Sequence, residues 1–284
     1  MLRQAGPQAR PFAFLKSVSC GESLSLLRSS NALISYGGLD KPTLIEFGSD
    51  RMTAHCSPFL EETRFGNWFI KSDTWKVHVL CRALNDLERL LPKPMPRFAK
   101  VIDVGCGFGH SFDELARRFS PDSIIGMDAD PDLQQRAGAA AAACSTPVRL
   151  HAANAARMDF PDHEFDLIFC HQTYHHIIEQ EAAMAEFFRV LKPGGVLLFA
   201  ESTRRYIHSL PIKLLFRHPM EIQKTADQYL AIMRGVGFDL PDERISMPYL
   251  WWSRPDIGFL EWIGLAVPEK REETLVNAVA IKPL

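Results

Sequence analysis

Residues able to do chemistry concentrate in one stretch of the chain. Val101-Ile102-Asp103-Val104 runs directly into Gly105-Cys106-Gly107-Phe108-Gly109. A glycine loop at the carboxyl end of a strand, opening a helix, lets a ligand approach the backbone closely. Gly126-Met127-Asp128 closes the next predicted strand. A carboxylate there has two acceptor oxygens, matching the two hydroxyls of a ribose. The spacing is G-x-G-x-G, and His110 stands where a dinucleotide binder carries its third glycine. That departure argues against NAD or FAD. His171, His175 and His176 form H-x-x-x-H-H. No Cys or carboxylate partner stands at ligand spacing, so no metal is expected. His171 is read as a substrate-side base or a cofactor contact, since imidazole titrates near neutrality. Glu201 closes a later strand on the same sheet edge; it either orients substrate or belongs to a hydrogen-bond network.

The elements that must position these groups read as alternating strands and helices over 97–201. Predicted strands lie at Val101–Val104, Ser123–Met127, Val148–His151, Phe165–Cys170 and Val196–Ala200. Helices are expected after the glycine loop (Phe112, Leu115, Ala116, Phe119), over 131–144 and over 180–191, with Met184, Phe187, Phe188 and Leu191 inward. His175-His176 is expected to begin a helix, and Lys192-Pro193-Gly194-Gly195 to be a turn. This order implies parallel crossover units with helices on both sheet faces. Ile245–Trp252 and Leu275–Ile281 read as two more strands, an antiparallel edge on the parallel sheet. Upstream, Leu80, Ala83, Leu84, Leu87, Leu90 and Leu91 predict an amphipathic helix over 74–91, capped by Ser72 or Asp73 and stopped by Pro92. The expected fold is α/β, Rossmann-like. Residues 1–96 form an N-terminal helical cap and substrate region. Residues 97–284 form the ligand-binding domain, with a lid insertion around 202–224.

Four ordered motifs resemble the class I S-adenosylmethionine-dependent methyltransferases, closest to their small-molecule, type 11-like branch. They are residues 101–109, Ile125-Gly126-Met127-Asp128-Ala129-Asp130-Pro131, the run Asn154 to Phe169, and Tyr174-His175-His176-Ile177 with Arg189 to Gly195. The resemblance covers about a third of the chain. It implies S-adenosylmethionine as cofactor. Asp103 with Gly105, Cys106, Gly107 and Gly109 would hold its methionyl part, and Asp128 and Ala129 its ribose end. Asn154 would accept from the adenine amino group, where many relatives have Asp. Ala155 would offer its amide to the ring, and His171 would face the methyl end. His175-His176 would serve packing. A sulfonium already makes its methyl group electrophilic, so the protein's main tasks are to align an acceptor and exclude water. No catalytic dyad is required. His171 and Glu201 are the catalytic candidates.

Composition fits this reading. Among 284 residues, 46% are hydrophobic and 23% charged, enough apolar material for a core. Net charge is -2, so no extended nucleic-acid surface is expected. The six cysteines are scattered without a C-x-x-C pair, which fits a reducing, cytoplasmic setting. Residues 1–21 have basic but no acidic side chains and read as a loosely ordered terminus rather than a targeting segment.

Acceptor choice should rest on loops at the sheet's carboxyl edge. Phe65, Trp68, Phe69 and Trp75 surround Arg64 and Lys71, either as cap packing or as cation–π partners. Residues 202–224 hold Arg204, Arg205, Lys213, Arg217 and Lys224 against Glu221 alone, with Pro211 interrupting an apolar helical side. This lid would meet an anionic substrate, an anionic membrane surface or water. Tyr249-Leu250-Trp251-Trp252 and Trp262 suit a pocket or a homodimer interface. The expected function is methyl transfer to a small-molecule or lipid-like acceptor. The alternatives are a non-catalytic binding relative and a nicotinamide-dependent oxidoreductase.

Overall fold

β-branched and aromatic runs separated by glycine turns build a seven-stranded sheet. In a computed structural model that describes residues 62–248, 264 and 274–284, the strands are β1 (Lys100–Val104), β2 (Ser123–Asp128), β3 (Val148–Ala152), β4 (Phe165–His171), β5 (Leu191–Ser202), β6 (Ile245–Ser246) and β7 (Leu275–Ile281). Their order is β3-β2-β1-β4-β5-β7-β6. β1 to β5 are parallel, and β7 runs antiparallel to both β5 and β6. The chain leaves β1 in one direction toward β2 and returns beside β1 as β4. The crevice for a ligand therefore opens at the carboxyl ends of β1 and β4.

Strand alternation divides the core between the two faces. Ile102, Val104, Ile168, Leu197 and Phe199 face α6 (Gln180–Val190) and α9 (Ala226–Gly235). Val101, Leu167, Phe169 and Leu198 face α4 (Phe112–Phe119), α5 (Leu133–Ala143) and α3 (Cys81–Leu90). The helix before Pro92 is continuous but not uniform. A turn at α2 (Asp73–Trp75) passes through a π segment, Lys76–Leu80, into α3. Ser72 caps it by accepting from the Trp75 amide, and Leu80, Leu84 and Leu87 are fully buried against the sheet. Ahead of it lies α1 (Arg64–Ile70), capped by Thr63.

Three details differ from the sequence expectations. Lys192–Gly195 lies within β5 and does not form a separate turn. Its pairing to β4 jumps from Phe165↔Leu191 to Leu167↔Val196, so the Pro-Gly-Gly segment is looped out as a bulge, with Gly194 at φ 76°. The Gly194 amide and the Gly195 carbonyl bond to Lys282, which keeps the segment extended. His175-His176 does not begin a helix: Tyr174–His176 is a single 3₁₀ turn, and α6 starts at Gln180. Pro211 does not interrupt the lid helix but opens it. The lid folds as α7 (Arg204–Ile207) and α8 (Leu210–Leu215), with Pro211 in the first turn, where its missing N–H costs nothing. The N-terminal 61 residues, and Tyr249 to Trp252 with Trp262, lie outside the described residues. Among the described residues, no helix is long and apolar enough to cross a membrane.

Candidate active site

The loop after β1 is held open by backbone geometry. Gly105 adopts φ 75°, and a Cβ there would fall 2.1 Å from the Thr173 methyl group. Gly107 is also in the left-handed region, at φ 53°, but a Cβ there would meet nothing within 4 Å. The first glycine is thus required by packing and the second leaves room for a ligand. The Gly107 amide donates to Asp128 Oδ2 at 2.9 Å, and the Asp130 amide donates to Asp128 Oδ1 at 3.0 Å. The strand-end carboxylate is therefore fixed beneath the loop, each oxygen keeping a further lone pair.

Asp103, near the end of β1, is buried and accepts a hydrogen bond from the Ser111 hydroxyl. Loss of water raises its pKa to about 7; Ser111 opposes that rise and the neighbouring Asp128 charge adds to it. The Cys106 thiol is pushed well up by burial and by both carboxylates. That favours an inert packing group over a nucleophile.

Asn154 and Ala155 sit just past β3. Asn154 Oδ1 accepts from the Ala156 amide at 2.9 Å, an Asx turn that fixes the loop. Ala155 is buried. Ala129 follows Asp128 directly. The sequence-derived residues on β1, β2 and β3 thus gather on one edge.

His171 ends β4. Its ring stacks on Phe169 at 5.7 Å and lies 5.4 Å from Trp75. His110 lies 5.9 Å from the other side of that network, also against Trp75. The Nε2 atoms of both histidines are buried without a partner. Desolvation lowers the His171 pKa to about 3, with nearby His175 adding to the fall. His110 is lowered by desolvation and by Lys76. Both rings are neutral at physiological pH, and their unpaired nitrogens mark a place where a polar ligand atom is wanted. A cavity of about 310 Å³ opens beside His171, lined by Gln172, Arg82, Asp86, Leu275 and Asn277.

Glu201 faces inward. It is fully buried, and it accepts from the Thr173 and Tyr174 amides, each at 2.7 Å, and from His175 Nδ1 at 2.6 Å. Thr173 in turn donates its hydroxyl to the Gly105 and His171 carbonyls. Glu201 thus lies in a hydrogen-bond network that links the β4 exit to the glycine loop through Thr173. His175 is the network's buried ring rather than a free base. Sequence reasoning did not find Ser111 or Thr173, and it read His110 only as a departure from the dinucleotide pattern. Ser111 follows the glycine loop closely, but nothing in its type marks it. Thr173 reveals itself only through the close approach at Gly105.

A glycine loop and a strand-end carboxylate lie at the switch point of a Rossmann-like sheet, the place where such sheets take up nucleotide ligands. Residues 102–199 match the family model described as methyltransferase domain, about a third of the chain. Its curated relatives include phosphoethanolamine N-methyltransferase 3 of Arabidopsis thaliana, 32% identical over 37% of this chain and 21% of that protein. Sterol 24-C-methyltransferase erg-4 of Neurospora crassa is 31% identical over 57% of this chain and 47% of that protein. The chain spans less than half the length of either. Among solved structures, a chain from the complex of the Haloferax volcanii Trm112 methyltransferase activator with a methyltransferase superposes with a TM-score of 0.57. It shares 18% identity over 78% of this chain and 96% of that one. An S-adenosylmethionine-dependent methyltransferase from Mesorhizobium loti gives a TM-score of 0.51, with 18% identity over 69% of this chain and 96% of that one. At such identities these two establish the fold alone.

Proposed function

We propose that the protein transfers a methyl group from S-adenosylmethionine to a small, lipid-like acceptor. The observation that carries this reading is the Gly107–Asp128 cradle: open space above a left-handed glycine, with a fixed carboxylate 2.9 Å from its amide. Bound there, S-adenosylmethionine supplies an electrophilic methyl group. The chain's residues then have distinct tasks. Asp128 accepts from the ribose hydroxyls. Asp103 offers negative charge to the cationic methionyl end. Asn154 and Ala155 bracket the adenine, with Asn154 bonding weakly because its oxygen already serves Ala156. Neutral His171 accepts a hydrogen bond from the acceptor through Nε2, and Trp75 beside it excludes water. Alignment in a dry cleft lowers the barrier without a charged base.

The lipid-like part of the reading rests on the lid. Leu210 and Leu214 are 70% and 72% exposed, and Trp68 is 64% exposed. α1 and α8 are joined through Phe65–Phe216 ring contact and a Thr63 hydroxyl donating to the Leu215 carbonyl. Phosphoethanolamine and sterol methyltransferases are among the similar proteins. Their acceptors come to this chain only as part of this proposal.

The test is calorimetric titration with S-adenosylmethionine and NAD, followed by mass analysis of lipid extracts incubated with enzyme and cofactor. Binding of S-adenosylmethionine, not NAD, and a one-methyl mass gain are expected. Asp128→Asn should weaken cofactor binding by about 1–3 kcal/mol through loss of charge-assisted hydrogen bonds. Unchanged affinity in the folded variant would remove Asp128 from the site. Tight cofactor binding with no methylated product would favour a non-catalytic binding role.

A further inference from the structure

A second cluster of chemistry-bearing side chains lies beyond the cofactor crevice. His175 and His176, on the turn after β4, meet His218, which comes from the lid 42 positions later. The ring centroids of His175 are 4.2 Å from those of His176 and 5.1 Å from those of His218; His176 and His218 stack at 4.9 Å. One ring nitrogen from each lies within 4.8 Å of one from each of the others. Among the described residues this is the one group of three such side chains with that spacing. In a tetrahedral site with zinc–nitrogen bonds of about 2.0–2.1 Å, ligand nitrogens sit roughly 3.4 Å apart. Ligation would turn the stacked His176 and His218 rings so that their nitrogens converge on one point.

His175 has the form of a prepared ligand. Its Nδ1 is committed to Glu201 Oε2 at 2.6 Å, which leaves Nε2 to bind. A carboxylate behind an imidazole fixes its tautomer and strengthens it as a donor. Glu201 is itself locked by two backbone amides, so the ring cannot drift. The lid side is anchored as well. Gln223 Nε2 donates to the His175 carbonyl and to the Pro219 carbonyl, both at 2.8 Å. The Gln223 Oε1 atom is buried and unpartnered beside His175, an acceptor suited to a bound water.

We propose that His175, His176 and His218 form a mononuclear site for a divalent transition metal of the Zn²⁺ class, one that fastens the lid to the carboxyl edge of β4. Three imidazole ligands suit Zn²⁺, Co²⁺ or Ni²⁺ and leave a fourth position for water. The three proposed ligands are not among the groups assigned to the cofactor; Glu201 alone is shared, since it also holds the turn whose Thr173 bonds to Gly105. It replaces the expectation that these histidines bind no metal. That expectation rested on finding no Cys or carboxylate partner at ligand spacing, whereas His218 reaches the pair only through the fold of the lid.

The experiment uses the tag-free full chain, treated with chelator and titrated with Zn²⁺ by calorimetry in the absence of cofactor. One Zn²⁺ per chain is expected. Co²⁺ in its place should give the visible ligand-field bands of a nitrogen-ligated four-coordinate ion. His218→Ala and His176→Ala should each weaken Zn²⁺ binding more than about 100-fold, beyond the 10–100-fold typical of losing a group that only orients a ligand. Glu201→Gln should fall within that lesser range, and His78→Ala should change nothing. Circular dichroism confirms that each variant folds. Absence of one-to-one binding by the wild-type chain overturns the proposal whatever the variants do. So does binding that survives intact in folded His218→Ala and His176→Ala, which would place the ion elsewhere.

Discussion

A carboxylate placed under a glycine loop and cut off from water holds its proton far longer than one at the surface, and Asp103 shows the consequence. Its pKa stands at about 7 against an ordinary 3.8, because desolvation outweighs the Ser111 hydrogen bond. The folded chain therefore binds this proton more tightly than the unfolded chain. Stability from this residue is fullest below pH 3.8 and declines as pH rises to about 7. Cofactor binding has the opposite sign. A cationic ligand beside Asp103 favours the ionised form, so affinity for S-adenosylmethionine should rise with pH, by roughly tenfold per unit below 7, and level off above it. Calorimetry in two buffers of different ionisation enthalpy should show up to one proton released at pH 6 and almost none at pH 8.5. Asp103→Asn should bind without proton release. A flat profile in the wild-type chain would mean that Asp103 does not meet the positive end of the ligand.

The elements around β4 and β5 are held by one side chain to a degree that their length does not suggest. Glu201 serves two amides and an imidazole in a site closed to water. Glu201→Ala would strand all three donors, and each unsatisfied buried group costs about 1–3 kcal/mol. A loss of roughly 3–5 kcal/mol in urea unfolding is expected, together with release of Thr173 from Gly105. A loss below about 1 kcal/mol would show that water reaches the turn. This network also explains which parts of the site could be read in the sequence. β1, β2 and β4 were legible because each is an apolar run ended by Gly, Asp or His, and the glycine loop because its residue types are demanded locally. Asp103 and Asp128 could be located for the same reason. Glu201 was visible as a strand-end acid, but its partners are 26 to 28 positions away in sequence, so its role depended on tertiary placement. The Lys192–Gly195 segment misled for a similar reason. Pro-Gly-Gly is turn chemistry, yet bonds to Lys282 from the far end of the chain keep it in the strand. His218 carried no local mark at all.

At the scale of the molecule, charge and exposure separate. The sheet and the helices packed on it bury most of their large apolar side chains, whereas α1 and α8 leave Phe65, Trp68, Leu210, Leu214 and Leu215 exposed. Lys213 and Arg217 stand among them in sequence, within a lid whose basic residues face one acid while the whole chain carries -2. An apolar face edged with basic side chains suits the boundary of an anionic bilayer, where apolar burial and charge attraction add. An enzyme acting on a lipid-like acceptor would gain from resting there, because its crevice lies on the sheet edge from which the lid emerges. The expected behaviour is co-sedimentation with vesicles containing phosphatidylglycerol or phosphatidylserine, weaker with purely zwitterionic vesicles and falling as salt is raised. Each basic residue near such a surface contributes about 1 kcal/mol, and a buried leucine about 1.5–3 kcal/mol. Leu214→Asp should therefore lower partitioning by at least tenfold while leaving S-adenosylmethionine binding unchanged, since Leu214 touches no part of the cofactor crevice. Salt-insensitive or absent partitioning at low ionic strength would remove the membrane from the reading. Concentration-dependent dimerisation lost in the same variant would instead assign this face to a second copy of the chain.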